Sequence, residues 1–317
     1  YSTTKMDILY QLPFPQEVCS KIFNFACKTP YTDLGVSIFK KKLYGINLNI
    51  PDNDQDVIII NTNDESNCNP YEEDMFDYVE QGDIDIYYLN CFNNLTNIEV
   101  NGCCIFGNIG HLSSLYNLTE IVFFDNTTLT GDIANVKTLQ NLTKFELYNS
   151  NVYGDIANLK SLHNLTHLGL EKTNISGNIV HLKSLQNLIA IGLFDTGITG
   201  DIVDLKTLHN LCTLWLYNTE VTGDIAHLNS LSNLTMIHLS NTNVYGKIDN
   251  LNTLSELTMI ELENTGVTGN VEALKTMLNL EIINLLETDV IGEIESLETL
   301  PYLAELNRRR MRLIYYK

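Results

Sequence analysis

Histidines, carboxylates and aromatic rings are the side chains of this 317-residue chain able to do chemistry, and they recur at fixed places in a repeating unit. His111, His181 and His227 hold one such place, and His163 and His209 another, but never in consecutive units. With strands about 4.8 Å apart, residues two units apart lie about 10 Å from each other, too far to share a zinc ion. A second row runs Asn108, Asp132, Asp155, Asn178, Asp201, Asp224, Lys247, Asn270, Glu293. Its neighbouring carboxylates have the oxygen chemistry of a calcium site. The plainer expectation is that each Asp or Asn accepts a hydrogen bond from its own turn backbone two residues on, and Lys247 in the same row favours that reading. No nucleophile elbow, phosphate-binding glycine loop or His-Glu-x-x-His is present, so neither enzyme activity nor a cofactor is expected.

The third set is the most informative. Alternation along a short apolar segment of each unit turns a series of aromatic and acidic residues outward: Phe124, Tyr148, Phe194, Trp215, Tyr217 and His238, with Glu146, Glu171, Glu261 and Glu263. Trp215, the only tryptophan, stands in one row with Gly192 and Gly169, whose missing side chains predict a depression beside the indole. Exposed aromatics next to a groove are common anchors of protein interfaces. The expected ligand is a protein or peptide of basic character, held by the aromatics and selected by the four glutamates at the rim.

What positions these residues is a repeat. Gly107, Gly131, Gly154, Gly177, Gly200, Gly223, Gly246, Gly269 and Gly292 are spaced by 24 and then seven times by 23, each opening a Gly-x-[Ile/Val] step. Aligned on them, the units read L-x-x-L-x-N-L-x-x-I-x-L-x-x-T-x-V-x-G-D-I-x-x, as in Leu159 to His181. Such a period belongs to a solenoid in which each unit touches only its neighbours. Leu168 and Leu170 point in while His167, Gly169 and Glu171 point out, which predicts one strand per unit and a parallel front sheet. Glycine then permits a turn, the following Ile returns to the core in a second short strand or turn, and L-x-x-L-x-N-L crosses the back wall. Thr173, Thr196, Thr219, Thr242, Thr265 and Thr288, with Ser150, form a hydroxyl row expected to bond neighbouring backbone turns.

This pattern is a leucine-rich repeat, and Gly-Asp-Ile at residues 131–133, 154–156, 200–202 and 223–225 resembles the plant-type repeat with its L-x-G-x-I-P consensus. Here the proline is lost and each unit is one residue shorter. The Thr-x-Val-x-Gly-Asp-Ile flavour is similar to repeats of algal, particularly diatom, proteins. The resemblance implies an α/β repeat solenoid, a right-handed superhelix with a parallel front sheet.

The domain plan has four parts. Residues 1–44 have a helical spacing of apolar positions broken by Pro13, Pro15 and Pro30, and form a helical, weakly F-box-like cap. Its run Leu12-Pro13, Glu17-Val18, Ile22-Phe23, Asp33-Leu34 is similar to the module that docks a Skp1-type adaptor, without the downstream Trp typical of it. Residues 45–81 read as a hairpin and an acidic loop. The solenoid covers 82–306, with Gly82-Asp83-Ile84 as its first echo of the repeat, and 307–317 is a basic tail.

A net charge of −20 argues against a nucleic-acid binder, and no apolar run approaches the roughly 18 residues of a membrane span. Seven cysteines, an odd number without paired spacing, favour a reducing, cytoplasmic compartment. Seven N-glycosylation sequons, at Asn94, Asn117, Asn126, Asn141, Asn164, Asn174 and Asn233, leave an extracellular address open. The preferred function is therefore a non-catalytic protein- or peptide-binding module. A substrate receptor of a ubiquitin ligase, acting through the F-box-like segment, and an extracellular structural or glycan-binding repeat protein are the alternatives.

Overall fold

The computed structural model describes residues 47–48, 57–61, 84–91, 95–101, 105–297 and 299–302. The F-box-like segment, the acidic loop and the basic tail lie outside them. Among the described residues two sheets run along the solenoid, a front sheet of 11 strands and a second sheet of 10. In the unit that starts at Leu159, the front strand is His167–Gly169, the second strand Asn174–Asn178, and the 3-10 turn Ile179–Ser184 follows. Among the described residues the connecting wall is built of such 3-10 turns and not of α-helices.

The apolar periodicity explains the core. Leu159, Leu162, Leu165, Leu168, Leu170, Ile175 and Ile179 are each exposed by 1% or less. Burying a side chain of this size is worth about 1.5–3 kcal/mol over leaving it in water. No unit encloses these residues alone, so each depends on the unit before and after it.

Between the two sheets the chain turns through a residue with positive φ, such as Lys172 at 52° or Asn218 at 53°. Asparagine tolerates this left-handed conformation better than most residues, and Asn149, Asn218, Asn241 and Asn264 are all found there. The hydroxyl row closes the same turn. Thr173 Oγ1 donates to the Leu170 carbonyl at 2.5 Å, and Thr265 Oγ1 to that of Leu262 at 2.7 Å. The expected bond to a neighbouring turn is thus replaced by one within the unit. The left-handed residue brings the strand's last carbonyl within reach of the hydroxyl three positions on. The spacing of 24 between Gly107 and Gly131 is absorbed here too. Front-sheet register steps by 24 from Phe124 to Tyr148, and the buried Asn126 fills the hydroxyl position, its Nδ2 donating to the Phe124 carbonyl at 2.9 Å.

The Gly-Asp step is a joint between units. Asp201 Oδ1 accepts from the Val203 N–H at 2.8 Å, and the same bond recurs at Asp132, Asp155, Asn178, Asp224 and Asn270. These side chains cap the 3-10 turns, as the plainer sequence reading has it. Each cap also reaches the next glycine. A Cβ on Gly200 would collide with Asn178 Oδ1 and one on Gly223 with Asp201 Oδ1, while the backbone holds φ at +115° and +118°. Glycine is required there twice over, by conformation and by space. Lys247 makes no cap; Asp249 takes over, its Oδ2 accepting from the Asn270 N–H at 3.3 Å and occupying the space above Gly269.

A second tie crosses the units through the Asn of L-x-x-L-x-N-L. Asn164 Nδ2 donates to the Gln140 carbonyl and Asn187 Nδ2 to that of His163, both at 2.9 Å. Asn187, Asn210 and Asn279 make this bond without belonging to a sequon. Packing alone is thus reason enough for the row.

At the N-terminal side, Asn47–Leu48 pairs antiparallel with Val57–Asn61, which itself joins the front sheet parallel to Asn97–Asn101. The sheet therefore begins upstream of residue 82. The first capping step among the described residues is Asp85-Ile86. Asp85 Oδ1 accepts from the Tyr87 N–H at 2.9 Å, and Ile86 is fully buried. Ile84 there holds the place that glycine takes in later units, pairing with Ile105 at the register of Gly177 with Ile198.

Candidate functional site

Strand register sorts the outward residues into rows. One reads Val122, Glu146, Gly169, Gly192, Trp215, His238, Glu261. Two residues on, where backbone bonds such as Lys172 N–H to the Phe194 carbonyl prolong the ladder, stand Phe124, Tyr148, Glu171, Phe194, Tyr217, Ser240 and Glu263. The predicted aromatics thus meet at the middle of the face.

They form one connected band. Phe194 and Tyr217 stack with ring centroids 4.1 Å apart, and Tyr217 stacks on His238 at 4.0 Å. Tyr148 and Phe194 meet edge to face at 6.2 Å, Phe124 lies 6.4 Å from Tyr148, and Trp215 lies 6.5 Å from Phe194. Such pairs contribute about 0.5–1.5 kcal/mol each beyond burial. They also cover one another. Phe194 is only 7% exposed, so it is the floor of the band and not an exposed anchor. Trp215 is half-buried, and among the described residues its covered Nε1 has no hydrogen-bond acceptor.

The depression beside the indole is filled. Glu171, between Tyr148 and Phe194 in its own row, turns sideways over the two glycines. Its Oε1 takes the space where a Gly192 Cβ would be, and its Oε2 lies 3.1 Å from that of Gly169. Glu171 is therefore central and largely buried, not a rim residue. The cause is local: the rings of Tyr148 and Phe194, which flank it in its row, meet at 6.2 Å, and the glycine row offers the room its carboxylate takes. Burial, with the nearby Glu146 carboxylate adding to it, pushes the Glu171 carboxyl from 4.5 up to about 7, against the pull of its own backbone N–H.

The other glutamates have partners. Lys144 Nζ is 3.3 Å from Glu146, His238 Nε2 is 3.5 Å from Glu261, and Asn284 Nδ2 donates to Glu263 at 2.9 Å. Burial holds the His238 imidazole below its ordinary value, against the pull of Glu261 and Glu263. The His238–Glu261 contact is then one of a neutral ring at pH 7. Burial, with Asp195 nearby, pushes the Tyr217 phenol up to about 12. Lys172 bonds Tyr148, its ammonium 5.3 Å from the ring centroid, which raises its own pKa.

Sequence reading missed one row. At the left-handed turn, Asn218 Nδ2 donates to Asp195 Oδ1 and Asn241 Nδ2 to Asn218 Oδ1, both at 2.7 Å, and Asn264 continues at 3.0 Å. The recurrence of Asn one place before the Thr row was its signal. Among the described residues no group of three or more His, Cys, Asp or Glu is placed to hold a metal ion, and no helix is long and apolar enough to cross a membrane.

No protein-family model matches the chain, and no curated protein matches it. Solved structures do. The chain is similar to the leucine-rich-repeat ectodomain of the Arabidopsis receptor kinase HAESA in complex with an N-terminally extended IDA peptide hormone, with a TM-score of 0.60, 19% identity and coverage of 71% of this chain and 43% of that one. It is similar to the PEPR1–AtPEP1 structure at a TM-score of 0.55 and 23% identity, over 64% and 33%. A plant ice-binding protein matches at 0.51 and 19%, over 62% and 73%. The chain thus spans less than half of the length of the HAESA and PEPR1–AtPEP1 chains it matches. Ectodomain neighbours lend the expected cytoplasmic address no support. The repeating unit, the two stacked sheets and these likenesses together show the fold of a leucine-rich-repeat solenoid.

Proposed function

We propose that this solenoid is a non-catalytic binding module that takes a peptide or protein segment across the middle of its front sheet. The observation that supports it most is the connected band from Phe124 to His238, which gathers most of the aromatic residues of that face into neighbouring strands. Tyr217, Trp215 and Tyr148 supply the contact area on the Phe194 floor, and Glu146, Glu261 and Glu263 flank it with negative charge. One of the similar structures, the HAESA ectodomain, carries a peptide hormone by name, which agrees with this use of the fold.

The test is affinity capture from the native source with the wild type beside Trp215→Ala and Tyr217→Ala, each checked for unchanged circular dichroism. A ligand retained by the wild type and lost by both variants supports the reading. Ligands retained equally by all three would remove it. The compartment belongs to the same proposal: an extracellular address would put glycans on the exposed Asn117, Asn141, Asn164, Asn174 or Asn233, which intact-mass analysis of the natural protein detects.

A further inference from the structure

We propose that the front sheet contains a built site for one cationic side chain, a lysine ammonium or an arginine guanidinium of the bound peptide, centred on the Glu171 carboxylate. The inference rests on the peptide-binding reading above and adds to it the chemistry of one ligand residue.

The site lies in a slot two side chains wide. Its floor is Gly169 and Gly192, its ends are Glu146 and Trp215, and Tyr148 with Phe194 forms one wall. Opposite them, His167 and the small Ala190 stand in the next row. The Glu171 carboxylate occupies this slot, where almost any side chain at 192 would displace it. A buried carboxylate is costly unless a cation or several donors meet it. Among the described residues neither does so. Lys144 is taken by Glu146, and Lys172, the next residue, turns to Tyr148. The charge that acts on Glu171 is that of Glu146, which repels it. Phe194 and Trp215 border the slot with aromatic rings, a kind of surface that attracts a cation. An arriving ammonium or guanidinium would supply the missing countercharge between two carboxylates in an already desolvated place.

The other charged or titratable groups around the slot are Lys144, His167, Asp195, Tyr217, His238 and Glu261. Only an ionised Glu171 recruits the cation. With half-ionisation near pH 7, the ionised fraction falls about tenfold between pH 8 and pH 6, and affinity should fall by about the same factor.

The experiment is selection of a random peptide library on the whole chain, wild type beside Glu171→Gln, followed by titration of one selected peptide at pH 6 and pH 8. The variant keeps the size of the side chain and removes the buried charge, so its folding is not at risk. We expect Lys or Arg fixed at one position with the wild type and not with the variant. We also expect binding about tenfold weaker at pH 6 for the wild type, with a smaller change in Glu171→Gln. Peptides enriched equally by both proteins, or without a fixed basic residue, would overturn this inference and leave the peptide-binding reading standing. No enrichment by the wild type would overturn both.

Discussion

Glu171→Gln has a second consequence, independent of any ligand, because a buried acid ties stability to pH. The carboxyl titrates near 4.5 in the unfolded chain and at about 7 in the folded one. Below pH 4.5 both states hold the proton, so the group contributes no pH dependence. Between pH 4.5 and 7 the unfolded state releases it and the folded state keeps it, so stability falls as pH rises. Above 7 the loss levels off. At about 1.4 kcal/mol per pH unit the full range amounts to about 3 kcal/mol. The net charge of −20 at pH 7 makes acid conditions prone to association. A practical window of pH 5.5 to 8.5 captures about 2 kcal/mol of this. Urea unfolding followed by circular dichroism, wild type against Glu171→Gln across that window, isolates the group, since His238 and other titrating residues contribute to both proteins. The wild type should lose about 2 kcal/mol relative to the variant between pH 5.5 and 7.5. A difference that stays constant with pH would show that Glu171 is solvated and that the slot is not as closed as described.

Other perturbations test the frame. Gly200→Ala places a Cβ against Asn178 at φ +115° and should cost at least about 1–3 kcal/mol by urea midpoint; a neutral result would dismiss the joint. Asp201→Ala removes the cap on Val203 and should cost about 1 kcal/mol, less than the glycine change because it creates space instead of a clash. If the natural protein carries glycans, peptide mapping should find Asn126 unmodified, because its side chain is fully buried; a glycan there would contradict the turn at 125–129.

The frame was largely legible because each of its parts is a local rule repeated many times. Gly-x-Ile marks a turn, Asp after glycine caps it, and alternation at His167 to Glu171 sets inward and outward faces. Local rules failed where one unit's side chain depends on the next unit's residue. Glu171 looks like a rim acid from its own strand, and only its position beside Gly192 and between Tyr148 and Phe194 makes it central. Phe194 looks exposed by parity, yet Tyr217, one strand on, stacks over it. The beginning of the array is hard to read from letters alone for a related reason. Gly82-Asp83-Ile84 has the letters of the motif, but the pairing of Ile84 with Ile105 puts the working cap at Asp85.

The joint between cap and glycine gives every unit a projecting half on one side and a receiving half on the other. Units of this kind behave like interchangeable links: splicing out one span of 23 residues from glycine to glycine brings an unaltered projection against an unaltered socket and should leave a shorter, continuous rod. The exception lies after Lys247, where Asp249 fills the socket of Gly269 from a different position. That link carries its own key, and a recombined array should be least tolerant of a cut that separates Asp249 from Gly269.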